Sequence, residues 1–369
     1  MDIKDQGSNS PLSRIPRQKN LVPDTSQSMV PPASPLVFEE PFREEPLPES
    51  HHSSTPLQDS LRRLQRDKRA MTSLIVIALF IIIPLIGPFI YQHIGGTYQS
   101  PLNGPVPASV YHNFSHQELN RLHEGPSAQY WLGTDSIGRD LLARLMQGMF
   151  VSLIVAFLVE IADVVLGVLV GVLAGFYGGW IDQLLARFTD VMFAFPGLLF
   201  VILMAGIFGP RADTLFAHIP IIGENGNGRL LLVAIALSVT VWPLMARYVR
   251  GQTLQLKEQQ FVEAARTSGS SNLTIILRHI LPNLSSIVIL AATLNIVNTI
   301  VGEAGISALG LGVQPPGSSI GLMISDAKDI IDTHPWEALL PSIVLAIIVL
   351  AFSFLGDGLR DAFDPRAKD

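Results

Sequence analysis

The chain has 369 residues, 48% of them hydrophobic and 15% charged, with a formal net charge of −6 and a mean hydropathy of +0.38. A soluble domain usually carries about 25% charged residues, so this composition predicts a membrane protein, and no strongly basic segment favours nucleic acid binding. The chain contains no cysteine, which excludes a disulfide framework and any cysteine-based metal or redox site.

The first 60 residues are rich in proline, serine and charge and show neither a helical nor a strand period. They hold too little apolar surface to offset the entropy of ordering, so residues 1–60 are predicted to be a disordered cytoplasmic N-terminal extension. Their glutamates indicate a solvated tail or, alternatively, a regulatory or docking segment. The first apolar run begins near Met71, too late for a cleavable secretory signal.

Six segments are apolar over about the 20 residues that a helix needs to cross a bilayer. They are residues 71–92, 151–175, 191–208, 230–247, 286–304 and 337–356. The third is short and follows a break at Pro196, so a re-entrant segment and five spans are the alternative. Gly167, Gly171 and Gly175 recur every fourth residue in the second span, which predicts close packing against another helix.

Basic residues near the span ends orient the helices, because positively charged loops stay in the cytoplasm. A basic flank precedes the first transmembrane helix within residues 61–92 and places the N-terminus in the cytoplasm. Alternation then makes residues 93–138 an external loop, with a core membrane domain at 139–366. The segment 248–285 and the C-terminus become cytoplasmic. The chain is therefore expected to be a multi-pass protein of the cell (cytoplasmic) membrane.

The polar segment 257–282, termed the polar hairpin, lies between two apolar spans. Helix-favouring residues run from 257 to 268, Gly269 can stop that helix by adopting a positive φ, and Asn272 predicts the N-cap of a second helix. Pro282 is expected to end the second helix before the fifth span. Three isoleucines are expected to hold the hairpin at the membrane surface: Ile275, Ile276 and Ile280. The alternative is an ordinary amphipathic connector lying on the lipid headgroups.

The polar hairpin carries residues at the spacing of a known motif. They are Glu263, Ala264, Ala265, Gly269, Leu281 and Pro282. The hairpin thus resembles the EAA loop of ABC-importer permeases, and the resemblance assigns these residues, with His279, to contact with an ATPase subunit. His279 stands where many relatives have Ile, and its His-x-Leu-Pro ending resembles the peptide-importer branch. His279 is either a surface histidine or a ligand or proton switch.

A second stretch, residues 132–140, is termed the signature loop. Its residues Gly133, Thr134, Asp135, Gly138, Arg139 and Asp140 are similar to an external signature of the DppC/OppC-type permeases of dipeptide, oligopeptide and nickel ABC importers. Further similar stretches lie at 177–196, 303–316 and 356–366. The resemblance therefore runs from about residue 62 to residue 366 and leaves out the N-terminal extension.

This resemblance implies an all-α type I ABC importer (MetI-like) permease fold with about six transmembrane helices. It implies a heterodimer with a second, DppB/OppB-like permease subunit, two ABC ATPase subunits, an extracytoplasmic solute-binding protein and a surrounding lipid bilayer. The sequence has no G-x-x-x-x-G-K-[S/T] phosphate loop. ATP and Mg²⁺ are therefore expected on the partner ATPases, and no catalytic residue, cofactor or metal is expected on this chain.

Acidic residues lie inside the predicted spans, where ionisable groups are costly and mark functional sites by default. Glu160 and Asp163 are three apart on nearly the same helix face. One hypothesis is that they line the translocation path and attract a cationic group such as a peptide amino terminus. The other is that they are protonated or pair with a polar group on a neighbouring helix. Glu303 is a further path candidate, which caps or pairs within the external gate, and Asn295 is expected to hydrogen-bond between helices.

The resemblance predicts the import of di- or oligopeptides, with nickel or glutathione-type import as the alternative. A secondary transporter needs inverted repeats with broken helices in both halves, and a membrane-embedded enzyme needs catalytic groups that converge at one depth. The sequence shows neither pattern. Selectivity in such importers lies largely in the binding protein, so this sequence does not name the solute.

Overall fold

Helices form almost all of the regular structure in the computed structural model, which describes residues 56–218 and 228–363. The long helices are α2 (Lys68–Tyr91), α4 (Leu141–Tyr177), α6 (Gly197–Leu215), α7 (Gly228–Leu256), α10 (Leu281–Ala308) and α12 (Pro335–Phe363). The shorter helices are α1 (Pro56–Arg66), α3 (Ala108–Tyr111), α5 (Gly179–Ala194), α8 (Gln260–Thr267), α9 (Asn272–Ile275) and α11 (Ile320–Ala327). The described part also contains a two-stranded antiparallel sheet of β1 (Tyr98–Ser100) and β2 (Gly104–Val106).

Most of the predicted N-terminal extension, residues 1–55, lies outside the described residues. Residues 56–60, which the sequence assigns to that extension, instead form the first turns of α1. This helix packs against α12, where a methyl group added at Gly358 would lie 3.5 Å from Leu64 Cδ1. The predicted boundary of the extension at residue 60 therefore lies inside a helix.

Among the described residues, six helices are long and apolar enough to cross a membrane, and they coincide with the six predicted spans. The third begins at Gly197 rather than at residue 191, because Phe195 is extended ahead of Pro196 and separates α6 from α5. A residue before proline avoids the helical conformation for steric reasons. The fifth span is lengthened by α9 and a π-helical turn, which give one continuous helical segment of 37 residues.

The glycines of α4 form the contact with α7, as predicted. A methyl group added at Gly167 would lie 2.5 Å from Met245 Cβ, and one at Gly171 would lie 2.6 Å from the carbonyl oxygen of Ala246. Gly175 faces α7 in the same way at the next turn. The two backbones approach so closely that a larger side chain at these positions cannot fit without moving a helix.

Two apolar clusters fill the interior of the membrane helices. The first joins α2, α4, α10 and α12 and includes Phe80, Ile300 and Ile348. The second joins α4, α6 and α7 with the end of α10 and includes Val155, Val233 and Ile306. Helices α4 and α10 therefore contribute to both clusters.

The segment 93–138, predicted simply as a loop, contains β1, β2, α3 and a small aromatic core around Tyr111 and Tyr130. Ser100 Oγ donates to the fully buried carboxylate of Glu118 at 2.5 Å and fixes the sheet to the following turns. This folded layer lies where α4 begins, whereas α4 ends at Tyr177 beside the polar hairpin. These two ends of the molecule are termed the loop end and the hairpin end.

Candidate functional site

The polar hairpin consists of a helix, a tight turn and a second helix, as predicted. Helix α8 (Gln260–Thr267) stops where Gly269 adopts a φ of 81°. The amide of Gly269 donates to the carbonyl of Arg266 at 2.9 Å, and the amide of Ser270 donates to that of Ala265 at 3.1 Å. This pair of bonds is a Schellman motif, which satisfies the last helical carbonyls and requires a left-handed residue at position 269.

The start of the second helix differs from the prediction by one residue. Its N-cap is Ser271 rather than Asn272, because Ser271 Oγ accepts a hydrogen bond from the amide of Thr274 at 3.2 Å. Serine and asparagine cap helices about equally well, so composition alone could not choose between these neighbours.

The prediction that Pro282 ends the second helix is wrong. A π-helical turn (Ile276–Ile280) follows α9, and Pro282 is the second residue of α10. Proline has no amide hydrogen, so it cannot donate to the carbonyl four residues earlier. Around the proline, the amide of Leu281 donates five residues back to Ile276, and the side chain of Asn283 donates to the carbonyl of His279 at 2.6 Å, so the helical path continues into α10.

One face of the hairpin is buried against the ends of α4 and α7. The buried residues are Val262, Ile275, Ile276 and Ile280, which pack with Val172, Phe176 and Val249. The isoleucines were expected to anchor the hairpin in the membrane surface, and they instead contact protein. The reason is that α4 and α7 continue to the level of the hairpin and offer it an apolar platform.

The other face of the hairpin is exposed and carries most of the residues assigned by resemblance. Those exposed are Glu263, Ala264, Gly269 and Pro282, and those half-buried are Ala265, His279 and Leu281. The small side chain of Ala264 leaves the backbone of α8 open to close approach. The hairpin therefore presents a backbone-rich, partly charged surface on a rigid apolar base.

Three large apolar side chains lie on the exposed face, and their exposure was not predicted from the sequence. Phe261, Leu273 and Leu277 are 40%, 64% and 55% exposed. The four-residue spacing of the two leucines was the available signal, since it places them on one face of the second helix, away from the buried isoleucines. Together with Glu263 and Arg266 they form an apolar surface edged by charge, which is typical of a protein interface.

Several contacts fix the hairpin end to the membrane helices. Lys257 Nζ donates to the carbonyl of Gly175 at 3.0 Å, and the Arg266 guanidinium lies 5.6 Å from the centroid of the Phe176 ring. Nearby, Arg250 of α7 donates to both carboxylate oxygens of Asp182 in α5, at 2.5 and 2.7 Å. These hydrogen bonds from Arg250 hold the pKa of Asp182 below its usual range. These contacts join the polar hairpin to the end of α4 and join α5 to α7.

At the loop end, the signature loop forms an ion-pair network. Asp135 accepts from Arg139 Nε at 2.6 Å and from Arg144 Nη1 at 2.5 Å. Both arginines also donate to the partly exposed Asp326 of α11, at 3.1 and 2.9 Å. Arg144 and Asp326 were not singled out from the sequence, because the partner Asp326 is distant along the chain.

Asp140 and Gly138 complete the signature loop. Asp140 caps α4 by accepting from the amide of Leu142 at 2.8 Å, and it also accepts from the Tyr91 hydroxyl and binds His112 Nδ1. Gly138 has a φ of 76°, and a methyl group there would lie 2.0 Å from the carbonyl oxygen of Glu118. The signature residues thus hold the loop end together by joining it to α2, α4 and α11.

Inside the membrane helices, Glu160 and Asp163 of α4 face Asn295 of α10. The Asn295 amide donates to Glu160 Oε2 at 3.2 Å and to Asp163 Oδ2 at 3.3 Å, which is the interhelical bonding expected of it. The other oxygen of each acid is buried with no hydrogen-bond partner among the described residues. Glu303 lies apart from this group, fully buried, and accepts from the hydroxyls of Ser152 and Ser307 at 2.9 and 2.7 Å.

Comparison with known families gives this architecture an identity. A family model for the binding-protein-dependent transport system inner membrane component matches residues 167–369. The chain belongs to this family. A second model, for the N-terminal transmembrane domain of oligopeptide transport permease C, matches residues 55–103 of the permease.

Two relatives align with this permease over nearly their whole length. The glutathione transport system permease protein GsiD of Shigella sonnei is 36% identical over 323 residues, which cover 88% of this chain and 95% of that protein. The dipeptide transport system permease protein DppC of Alkalihalophilus pseudofirmus is 34% identical over 337 residues, covering 91% and 98%. A solved inward-facing structure of the MetNI methionine ABC transporter gives a TM-score of 0.46 at 20% identity, over 59% of this chain and 96% of that one.

These findings confirm the predicted class. The chain is a multi-pass inner membrane protein with an all-α permease fold, and it is a DppC/OppC-type permease of an ABC importer. It is the membrane component of that transporter rather than a catalytic subunit.

Proposed function

We propose that this permease imports dipeptides, oligopeptides or a related solute such as glutathione. The two relatives carry names for dipeptide and glutathione transport, and both align over almost their full length. In this proposal an extracytoplasmic binding protein delivers the solute, a second and different permease completes the path, and two ATPase subunits bind ATP and Mg²⁺. The hairpin end, with both termini, faces the cytoplasm.

The polar hairpin is the observation that carries this proposal. Its exposed face carries large apolar side chains beside charged ones, which is typical of a surface that a partner protein covers, and its base is already buried against α4 and α7. We assign Glu263, Ala264 and Gly269 to direct contact with an ATPase. Ala265 sets the close approach of α8, while His279, Leu281 and Pro282 shape the turn that leads into α10.

Co-purification of the tagged transporter tests this assignment. Leu273→Asp and Leu277→Asp each place a charge on the exposed face, so ATPase recovered with the permease should fall at least tenfold. Leu309→Asp is the matched control, because Leu309 is 62% exposed at the other end of α10. Full recovery of the ATPases with both hairpin variants would overturn the assignment, provided that the permease reaches the membrane at the wild-type level.

We further propose that Glu160 and Asp163 lie on the translocation path. Asp163 is about 20 Å along α4 from Tyr177, since a helix rises about 1.5 Å per residue, which is near the middle of a bilayer. Asp163 and Asn295 line a small cleft of about 20 Å³ with Tyr248, which is room for one water-sized group such as an ammonium. Glu303, which accepts from a serine hydroxyl on α4 and from one on α10, supports the path by holding α10 against α4.

A further inference from the structure

A cluster of metal-ligand side chains lies at the loop end, outside every site described above. His123 comes from the segment 93–138, whereas His334 and Glu337 flank the start of α12. One nitrogen of each imidazole and one carboxylate oxygen lie within 4.8 Å of one another. Glu337 is 2% exposed and the two histidines are half-buried, so the cluster is sheltered but open to ions from solvent.

The backbone holds His123 in place at a conformational cost. Its φ is 52°, and it is the one non-glycine residue in the described part of the chain with a positive φ. Its amide donates to the carbonyl of Asp135 at 3.0 Å, which ties it to the signature loop. Unfavourable backbone conformations persist where the surrounding structure imposes them, and they concentrate at functional sites.

The hydrogen bonds around the imidazoles orient their lone pairs. Thr333 Oγ1 donates to the carbonyl of Ile330 at 3.1 Å and lies 2.9 Å from His334 Nδ1, so it accepts the Nδ1 hydrogen and leaves the lone pair on Nε2. His123 Nδ1 lies within hydrogen-bond distance of Glu337 Oε1, at 2.6 Å. Outer hydrogen bonds that fix a histidine tautomer are the usual support of a metal ligand.

We propose that His123, His334 and Glu337 bind one divalent transition-metal ion, for which Zn²⁺ fits best. Two histidines and one carboxylate are an established zinc ligand set, with the fourth position left to water. The ion takes the place of the proton between His123 Nδ1 and Glu337 Oε1. That pair must open from 2.6 Å to about 3.3 Å, the separation that zinc bonds of about 2.0 Å impose in a tetrahedron.

Such an ion clamps the folded layer at residues 93–138 to the start of α12. No metal was expected here, because His123 lies 214 residues before Glu337 and the pair His334 and Glu337 forms no motif by itself. Imidazole also suits Ni²⁺, whereas Mg²⁺ prefers oxygen ligands. The site is thus selective for borderline transition metals over the common hard cations.

Metal analysis of the assembled transporter tests the proposal. The complex is purified through a tag without histidine, washed with chelator, and titrated with Zn²⁺ by calorimetry and elemental analysis. His123→Asn places asparagine, which tolerates the left-handed conformation, at position 123. The double variant His123→Asn, His334→Gln should bind one zinc ion fewer per permease than the wild type. Glu337→Gln should weaken binding at least tenfold. His93→Asn, at an exposed histidine, should bind as much zinc as the wild type.

Equal zinc binding by the wild type and the His123→Asn, His334→Gln variant would overturn the proposal. If that variant does not assemble, the proposal is tested on the wild-type complex by chemical modification. Zn²⁺, but not Mg²⁺, should protect His123 and His334 from carbethoxylation as measured by peptide mass spectrometry. Equal modification with and without Zn²⁺ would equally overturn it.

Discussion

Gly269 is constrained by its backbone alone. A methyl group added there meets nothing within 4 Å, and the residue is exposed, but its φ is 81°. A residue with a side chain pays about 1–2 kcal/mol for that left-handed conformation, and asparagine pays less than others. The glycine therefore sets the angle between the two hairpin helices without filling any space.

We expect Gly269→Val to reduce solute uptake severalfold while the permease reaches the membrane normally, because the strained turn misplaces the exposed face of the hairpin. Gly269→Asn should retain most of the uptake. Gly251→Ala is the control, since Gly251 also has open space around it but no positive φ. Uptake in membrane vesicles and ATP hydrolysis per solute provide the measurement. Wild-type uptake by Gly269→Val would show that the turn is only a connector.

The charges of Glu160 and Asp163 can be tested without changing the shape of the side chains. The double variant Glu160→Gln, Asp163→Asn keeps the shape of both side chains and removes their charge. If they attract a solute ammonium group in the path, uptake of peptides should fall about tenfold with little change in ATP hydrolysis. Asp329→Asn, an exposed acid outside the long helices, is the control. Unchanged uptake of every solute by the double variant would contradict a place on the path.

At the scale of helices, the contact between α4 and α7 depends on the glycine strip. We expect Gly171→Val to be severely destabilising, because its side chain meets the backbone carbonyl of Ala246 at 2.6 Å, and overpacking costs about 1–3 kcal/mol or more. Gly206→Val in α6 should be tolerated, since nothing lies within 4 Å of that position. The thermal midpoint of the detergent-solubilised complex is the measurement, and equal midpoints for the two variants would contradict this contact.

Helices were predictable wherever one local signal was sufficient. The long apolar runs gave the six spans, and Gly269 gave the turn of the polar hairpin. The π-helical turn was not predictable, because the proline rule removes a bond at Pro282 but does not say how the chain compensates. Helix α1 was missed because the predicted extension was ended at residue 60, within a segment where Leu57, Leu61 and Leu64 recur at helical spacing.

For the whole molecule, long-range pairs join the elements, and these were hidden from the sequence. The resemblance named Asp135 and Arg139 but not their partner Asp326, and nothing local links His123 to Glu337. Such contacts depend on how distant segments meet, which needs the packed structure. The sequence indicated that the signature loop matters, and the geometry assigns it to holding the loop end together.

We expect Asp135→Asn to loosen the loop end. Arg139 and Arg144, which are 4% and 1% exposed, would then share only the carboxylate of Asp326. Removing one partner of a buried ion pair destabilises the folded state by about 3–5 kcal/mol. Protease cleavage within residues 93–138 should accelerate at least tenfold. The control is Asp332→Asn, at an exposed acid in the turn before α12, and this variant should be cleaved at the same rate as the wild type. Unchanged cleavage of Asp135→Asn would mean that the network does not hold this layer.

Helix α4 runs unbroken from the cap at Asp140 to the platform under the polar hairpin. Its 37 residues make a rod of about 55 Å, with both ends fixed to other elements. If a helix of this length tilts as a rigid body by about 5° around its middle, each end moves by about 2.5 Å, in opposite directions. A displacement of the hairpin end would then be accompanied by an opposite displacement of the loop end, because no break in α4 separates them.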